Sequence, residues 1–129
     1  MVSLLIVSHS AQLAAGVKEF AEQVAGGKVH IVDAGGAADG SLGTSVERIQ
    51  ERLRQIASPE GTLVLVDLGS AVLSVEMAIE ALGAGRVQIS DAPLVEGAYL
   101  AAIEASAEDS TLEQVAEAAL QARELIKVH

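Results

Sequence analysis

Four short runs rich in β-branched and other apolar residues, at positions 3–7, 28–32, 62–66 and 86–89, alternate with longer segments carrying Glu, Gln, Ala and Leu at helical spacing. That alternation confines the chain to α/β folds, because parallel strands must be joined by a crossover, usually a helix. The runs themselves are largely apolar, as strands covered on both faces are. The expected path is βαβαβαβ followed by one or two helices, with right-handed crossovers. It builds a three-layer sandwich: a four-stranded parallel sheet with helices on both faces. The common strand order for such a unit, 2-1-3-4, puts the topological switch point between the first and third strands.

Local signals mark where these elements begin and end. Thr44-Ser45-Val46-Glu47 and Ser110-Thr111-Leu112-Glu113 read as capping boxes led by Thr44 and Ser110. Pro93 stands where a helix begins after the fourth strand. Gly26-Gly27, Pro59-Glu60-Gly61 and Gly83-Ala84-Gly85 separate helix ends from the strands that follow. In the last segment Leu112, Val115, Ala116, Ala119, Leu120 and Ile126 form an apolar stripe, with Glu113, Glu117 and Glu124 off it. No internal repeat or linker divides the chain, so residues 1–129 are read as one domain.

Composition removes several function classes. Half of the residues are hydrophobic and the mean hydropathy is +0.41, yet no apolar run approaches the roughly 18 residues of a membrane span. The first residues lack the basic flank and cleavage pattern of a secretory signal, so the expected location is the cytoplasm. With no cysteine there is no disulfide, thiolate chemistry or thiolate metal site. A formal charge of −10 repels phosphate backbones and argues against nucleic acid. The same charge suits a partner with a basic docking face, and it also serves simply to keep an Ala-rich chain soluble. One Tyr, one Phe and no Trp offer no stacking platform.

Against that background His9 stands out. It follows Leu4-Leu5-Ile6-Val7-Ser8, at the carboxyl end of the first strand, where open α/β sheets bind ligands. In the 2-1-3-4 order the third strand ends beside it, at Val66-Asp67-Leu68-Gly69-Ser70-Ala71. A carboxylate at Asp67 that accepts one imidazole N–H fixes the tautomer and leaves the other nitrogen as a nucleophile. Gly69 and Ser70 open a helix, whose free N–H groups favour an anion. These pieces fit phosphoryl transfer through a phosphohistidine.

Each piece has a plainer reading. A strand-end histidine is commonly a loop or core residue, and Asp67 or Ser70 serves as well as a helix cap or turn former. Ser8 and Ser10 suit either the cap of the first helix or a phosphate. Their joint placement at two neighbouring strand ends is what raises the site above those readings. The loop from Asp33 to Thr44 is glycine-rich, and Gly43 and Thr44 open the next helix where backbone could approach a phosphate. It matches neither a Walker A loop nor GxGxxG, and a mobile surface loop is the commoner meaning. Asp33 has no glycine fingerprint before it to support a ribose-binding role. His30 is expected inside the second strand and partly buried, His129 at a frayed end. No acid neighbours them at ligand spacing, so no metal is assigned.

Other chemistries fit less well. A small hydrolase using Ser8 or Ser70 with His9 and Asp67 would lack a GxSxG elbow. A receiver-like module needs an acidic pair after the first strand, where Ser8-His9 stands.

Four blocks, VSHS at 7–10, GTSVERI at 43–49, VDLGSAVLSVE at 66–76 and APLVEGAYLAA at 92–102, resemble the phosphotransferase subunit, DhaM, of phosphoenolpyruvate-dependent dihydroxyacetone kinases. That family is similar in fold to the IIA domains of mannose-type sugar phosphotransferase systems. The sugar-transport branch carries a glycine close before its histidine and a WGGSP-like turn after the aspartate. Here Val7-Ser8 and Asp67-Leu68-Gly69-Ser70 stand instead, which favours the kinase branch over a sugar IIA component. The resemblance implies a relay. The phosphocarrier HPr donates to His9, and phospho-His9 recharges ADP on the subunit DhaL, whose ATP phosphorylates dihydroxyacetone on DhaK. It implies a homodimer, a separate donor protein, and no tightly bound cofactor, with ADP and magnesium belonging to the partner. Within that relay Asp67 orients His9, and Ser70 and Gly69, with Ser8, Ser10, Gly43 and Thr44, are the expected phosphate contacts.

Overall fold

The structure, a computed structural model, describes residues 1–83 and 85–128. In chain order it runs β1 (Ser3–Ser8), α1 (Ala11–Ala25), β2 (Ile31–Gly35), α2 (Val46–Gln55), β3 (Thr62–Val66), α3 (Gly69–Leu82), β4 (Val87–Ile89), α4 (Leu94–Ala105) and α5 (Leu112–Leu120). A single 3-10 turn, Gln121–Glu124, follows. The strands form one parallel sheet in the order β2-β1-β3-β4, as expected.

The two-residue period of the strands divides the core into two layers. Leu4 and Ile6 of β1, Ile31 of β2 and Leu63 and Leu65 of β3 face α1, α4 and α5. Leu5, Val7, Ala34, Val64 and Val66 face α2 and α3. Each fully buried Leu, Ile or Val stabilises the fold by roughly 1.5–3 kcal/mol. The helices present smaller residues. Ala98, Ala101, Ala102 and Ala105 follow the i, i+3, i+4, i+7 spacing of one face, letting α4 lie close on the sheet. The crossover from β1 thus runs over one face of the sheet and those into and out of β3 over the other, so the chain diverges at the carboxyl ends of β1 and β3.

Several boundaries differ from expectation. β2 begins at Ile31, three residues later than the 28–32 run suggests. Gly26 and Gly27 leave α1 in left-handed conformations, and Lys28 N–H still bonds back to the Ala25 carbonyl at 3.2 Å. The chain therefore turns over three more residues before it can pair. His30 consequently precedes the strand with its side chain exposed, not partly buried, while its carbonyl accepts from Leu4 N–H. Asp33 lies within β2, where it pairs with Lys18, not in the loop. β4 starts at Val87, not Arg86, and β1 extends to Ser8.

Both capping boxes shift by one residue. Ser45, not Thr44, caps α2 by accepting from Arg48 N–H at 3.2 Å. Thr111, not Ser110, caps α5 and forms a reciprocal box with Gln114. Thr44 and Ser110 instead use their hydroxyls on Ser74 and Glu104. The C-terminal stripe ends with the helix at Leu120, and Ile126 lies beyond it, exposed. Ala84 of the 83–85 breaker and His129, the expected frayed end, lie outside the described residues. Among the described residues no helix is long and apolar enough to cross a membrane.

One close approach prepares the site. A Cβ on Gly35, at the end of β2, would stand 2.7 Å from both Ala11 Cα and the Ser10 carbonyl. Only glycine lets β2 press against the turn that carries His9 and opens α1.

Candidate active site

Val7 of β1 pairs with Val66 of β3, so Ser8-His9 and Asp67 emerge side by side from adjacent strands. Asp67 N–H donates to the Val7 carbonyl at 3.2 Å, which locks the two exits together. The Asp67 carboxylate is then surrounded by donors. Oδ2 accepts from the Ser8 hydroxyl and from His9 N–H, both at 2.9 Å, and Oδ1 accepts from Leu68 N–H at 2.7 Å. His9 Nδ1 lies 3.1 Å from Oδ1 and 3.2 Å from Oδ2.

Burial favours the neutral form of this carboxyl, but the bonds from His9 N–H, the Ser8 hydroxyl, the His9 ring and Leu68 N–H outweigh it. They hold the group below its ordinary value of 3.8. Asp67 is therefore ionised near neutral pH. An ionised carboxylate can only accept, so Nδ1 carries the proton and Nε2 carries the lone pair. Nε2 lies 3.0 Å from Ser70 Oγ, whose O–H donates to it. The His9 side chain is 28 % exposed against 12 % for Asp67: the anchor is sheltered and the reactive edge is open.

The other expected contacts fall into two groups. Gly69 and Ser70 are the first two residues of α3, where N–H groups have no intrahelical acceptor. They stand at the reactive edge, as an anion-binding helix start requires. Ser8, by contrast, is fully buried; its Oγ donates to Asp67 and accepts from Ser10 N–H at 3.0 Å. Ser10 caps α1 by accepting from Leu13 N–H. Gly43 N–H donates to the His9 carbonyl at 2.9 Å, and Gly43 holds φ +147° with Ala37 close by, a conformation that favours glycine. Thr44 Oγ1 is 2.7 Å from Ser74 Oγ on α3. Ser8, Ser10, Gly43 and Thr44 thus brace the histidine turn with the groups that a phosphate would otherwise use.

Two participants escape a reading of the sequence. Ser74 lies one helical turn beyond Ser70, so its place beside the site becomes visible only once α3 is drawn. Arg48 Nη1 donates to the Gly35 carbonyl at 2.7 Å, tying α2 to the carboxyl end of β2. Beside Asp67 a cleft of about 280 Å³ opens between Leu68, Gly69, Val72, Asp91, Pro93 and Arg123. Its one cation, Arg123, is paired with Asp91. Among the described residues no three His, Asp or Glu side chains gather as metal ligands would. A neutral imidazole, held by an anion at one nitrogen and met at the other only by a rotatable hydroxyl, is a competent nucleophile toward phosphorus.

Comparison with known proteins identifies the family. The EIIA-man family, described as the PTS system fructose IIA component, matches residues 3–116. The phosphoryl donor subunit DhaM of dihydroxyacetone kinase 2 from Listeria innocua is 39% identical over 132 residues, covering 100% of both chains. The DhaM subunit of Klebsiella michiganensis is 37% identical over 99% of this chain but only 28% of its own, longer length. In structure the chain is similar to EF1359, a crystal structure of a protein of unknown function, with a TM-score of 0.80, 37% identity and 93% of each chain covered. The chain belongs to the EIIA-man family of phosphotransferase-system components, in the branch of the DhaM phosphoryl donor subunits.

Proposed function

We propose that this protein is a phosphoryl relay between two other proteins of a cytoplasmic, phosphoenolpyruvate-dependent dihydroxyacetone kinase. The observation that carries the proposal is His9 held through Nδ1 by Asp67 with Nε2 facing the Ser70 hydroxyl at the start of α3. In the first step the Nε2 lone pair attacks the phosphorus of phospho-HPr. The N–P bond of the donor breaks and a new N–P bond forms on His9. The ring becomes cationic, and Asp67 stabilises it through the retained Nδ1–H. Ser70 Oγ turns from Nε2 to a phosphoryl oxygen, which the Gly69 and Ser70 N–H groups also meet. In the second step a β-phosphate oxygen of ADP, held with magnesium on DhaL, takes the phosphoryl group and Nε2 regains its lone pair. The ATP so formed serves DhaK. No cofactor resides on this chain in that scheme.

The test is incubation with phosphoenolpyruvate, enzyme I and HPr. It should give an acid-labile phosphoryl label on His9 that DhaL–ADP then discharges. A label on another residue, or none, ends the reading. A homodimer belongs to the same proposal. Phe20 and Tyr99, stacked at 5.3 Å between α1 and α4 beside exposed Val95, supply an apolar surface for it, which sedimentation tests.

One observation favours a second reading. Ser70, His9 and Asp67 are linked in the order of a hydrolytic triad, at 3.0 and 3.1 Å. Covalent labelling of Ser70 by a fluorophosphonate would support that reading over the relay.

A further inference from the structure

Arg123 lines the same small cleft as Asp67, Leu68 and Gly69. At about 280 Å³ the cleft has room for about nine waters, at roughly 30 Å³ each, so a guanidinium on one wall is close to the other. The 3-10 turn Gln121–Glu124 delivers the arginine there. Buried Ala122 seats that turn, and Leu125 N–H closes it on the Ala122 carbonyl at 3.3 Å. The hold on the guanidinium itself is slight. Nη2 donates to the Asp91 carbonyl at 3.1 Å and to the Asp91 carboxylate, so Nε and Nη1 stay unengaged among the described residues. The Asp91 side chain is 90 % exposed and that of Arg123 47 %, and an ion pair so wet is weak.

The charges of the site call for a cation. Asp67 is ionised, the chain carries a net −10, and a phosphoryl group on Nε2 adds further negative charge beside them. Of the eight Lys and Arg residues, Arg123 alone lines this cleft. Arg48, under the histidine turn, is tied to the Gly35 carbonyl, while Lys18, Arg86 and Lys127 pair with Asp33, Glu113 and Glu96. Gly69 joins cleft to reactive atom: it lines the cleft, and its neighbour Ser70 bonds to Nε2. A phosphoryl group held at the start of α3 therefore stands beside the space that Arg123 occupies.

We propose that Arg123 is a phosphoryl-binding residue, whose guanidinium leaves Asp91 and donates two N–H bonds to oxygens of the phosphoryl group as it reaches Nε2. A planar, forked guanidinium meets two such oxygens at once, which a hydroxyl or a single backbone N–H does not. Asp91 parks it between turnovers. The proposal rests on the relay through His9 and adds the group that offsets the incoming charge.

The test uses phosphoramidate, a small donor whose phosphoryl group meets residues of this chain alone. Nε2 forms the new N–P bond, the donor's own P–N bond breaks, and its protonated nitrogen leaves as ammonia. Arg123→Gln should lower kcat/KM for labelling of His9 about 10-fold or more, the scale of a lost hydrogen bond to a charged group. Arg123→Lys keeps the charge without the fork and should recover part of that loss. Asp91→Asn breaks the same ion pair but frees the guanidinium, so it should speed labelling about 2-fold or more. Inorganic phosphate should compete with the donor at lower concentration on the wild-type protein than on Arg123→Gln. A wild-type rate in Arg123→Gln would overturn the proposal. Equal losses in Arg123→Gln and Asp91→Asn would overturn it too, since they mean that the ion pair only pins the turn. Failure of the wild-type protein to be labelled by phosphoramidate or by phospho-HPr would instead overturn the relay, and the role of Arg123 with it.

Discussion

β1 and β3 meet twice in polar pairs, once at each end, and the two ends do opposite work. At the amino end Ser3 Oγ lies 2.8 Å from Thr62 Oγ1 and donates to the Ile56 carbonyl at 2.8 Å. Both side chains are neutral and 2 % exposed. At the carboxyl end His9 meets Asp67, one partner ionised and the imidazole partly exposed. The same strands and the same pairing register hold both. A neutral, sealed pair satisfies the polar groups of the core and leaves nothing for a ligand. A charged pair whose second nitrogen meets only a rotatable hydroxyl keeps a site for chemistry. What separates the ends is the topology: crossovers diverge at the carboxyl edge and leave it uncovered.

Substitutions at the two ends should therefore separate rate from stability. His9→Ala should abolish phosphoryl labelling by phospho-HPr while leaving the melting temperature nearly unchanged, read by circular dichroism. Asp67→Ala should slow labelling by about 10- to 100-fold, the scale of a lost orienting partner. Ser70→Ala, which removes one donor at the reactive edge but keeps both helix N–H groups, should slow it several-fold, about 3- to 10-fold. At the amino end Ser3→Ala should leave the labelling rate alone and lower stability by about 1–3 kcal/mol, because Thr62 and the Ile56 carbonyl lose a partner in the core. A Ser3→Ala variant that labels slowly but melts normally would erase the distinction between the ends.

Acid should sharpen it further. The Asp67 carboxyl titrates below its ordinary 3.8 when folded, so its contribution to stability is complete above that value. It is lost as the pH falls through the lower, folded value. Asp67→Asn should therefore flatten the loss of stability below about pH 4, measured by urea unfolding across pH. Thr62→Val at the other end has no titrating group and should leave that slope intact.

Much of the carboxyl end was legible in the residues alone. Apolar runs ending in Ser8-His9 and in Asp67, together with the commonest order for four parallel strands, are enough to bring the two together. The identity of the reactive nitrogen was not legible, because it depends on which ring nitrogen faces the Asp67 carboxylate. Nor were the uses of Ser8, Ser10, Gly43 and Thr44, since a hydroxyl or amide beside a site reads alike whether it meets a phosphate or a neighbouring carbonyl. The late start of β2 escaped for a different reason. Lys28-Val29-His30 has strand-like composition, and only the left-handed exit through Gly26 and Gly27 delays pairing until Ile31. The Ser3–Thr62 pair went unseen because two hydroxyls in apolar runs carry no signal until the register pairs them.

The relay turns on Asp67 holding Nδ1 and leaving Nε2 to take the phosphoryl group. Phosphorus and nitrogen NMR of the ¹⁵N-labelled protein, charged from phosphoenolpyruvate through enzyme I and HPr, reads the bonded atom directly. A single phosphoramidate on Nε2 of His9 is expected. A phosphoryl group on Nδ1, on Ser70 or on any other residue would contradict it.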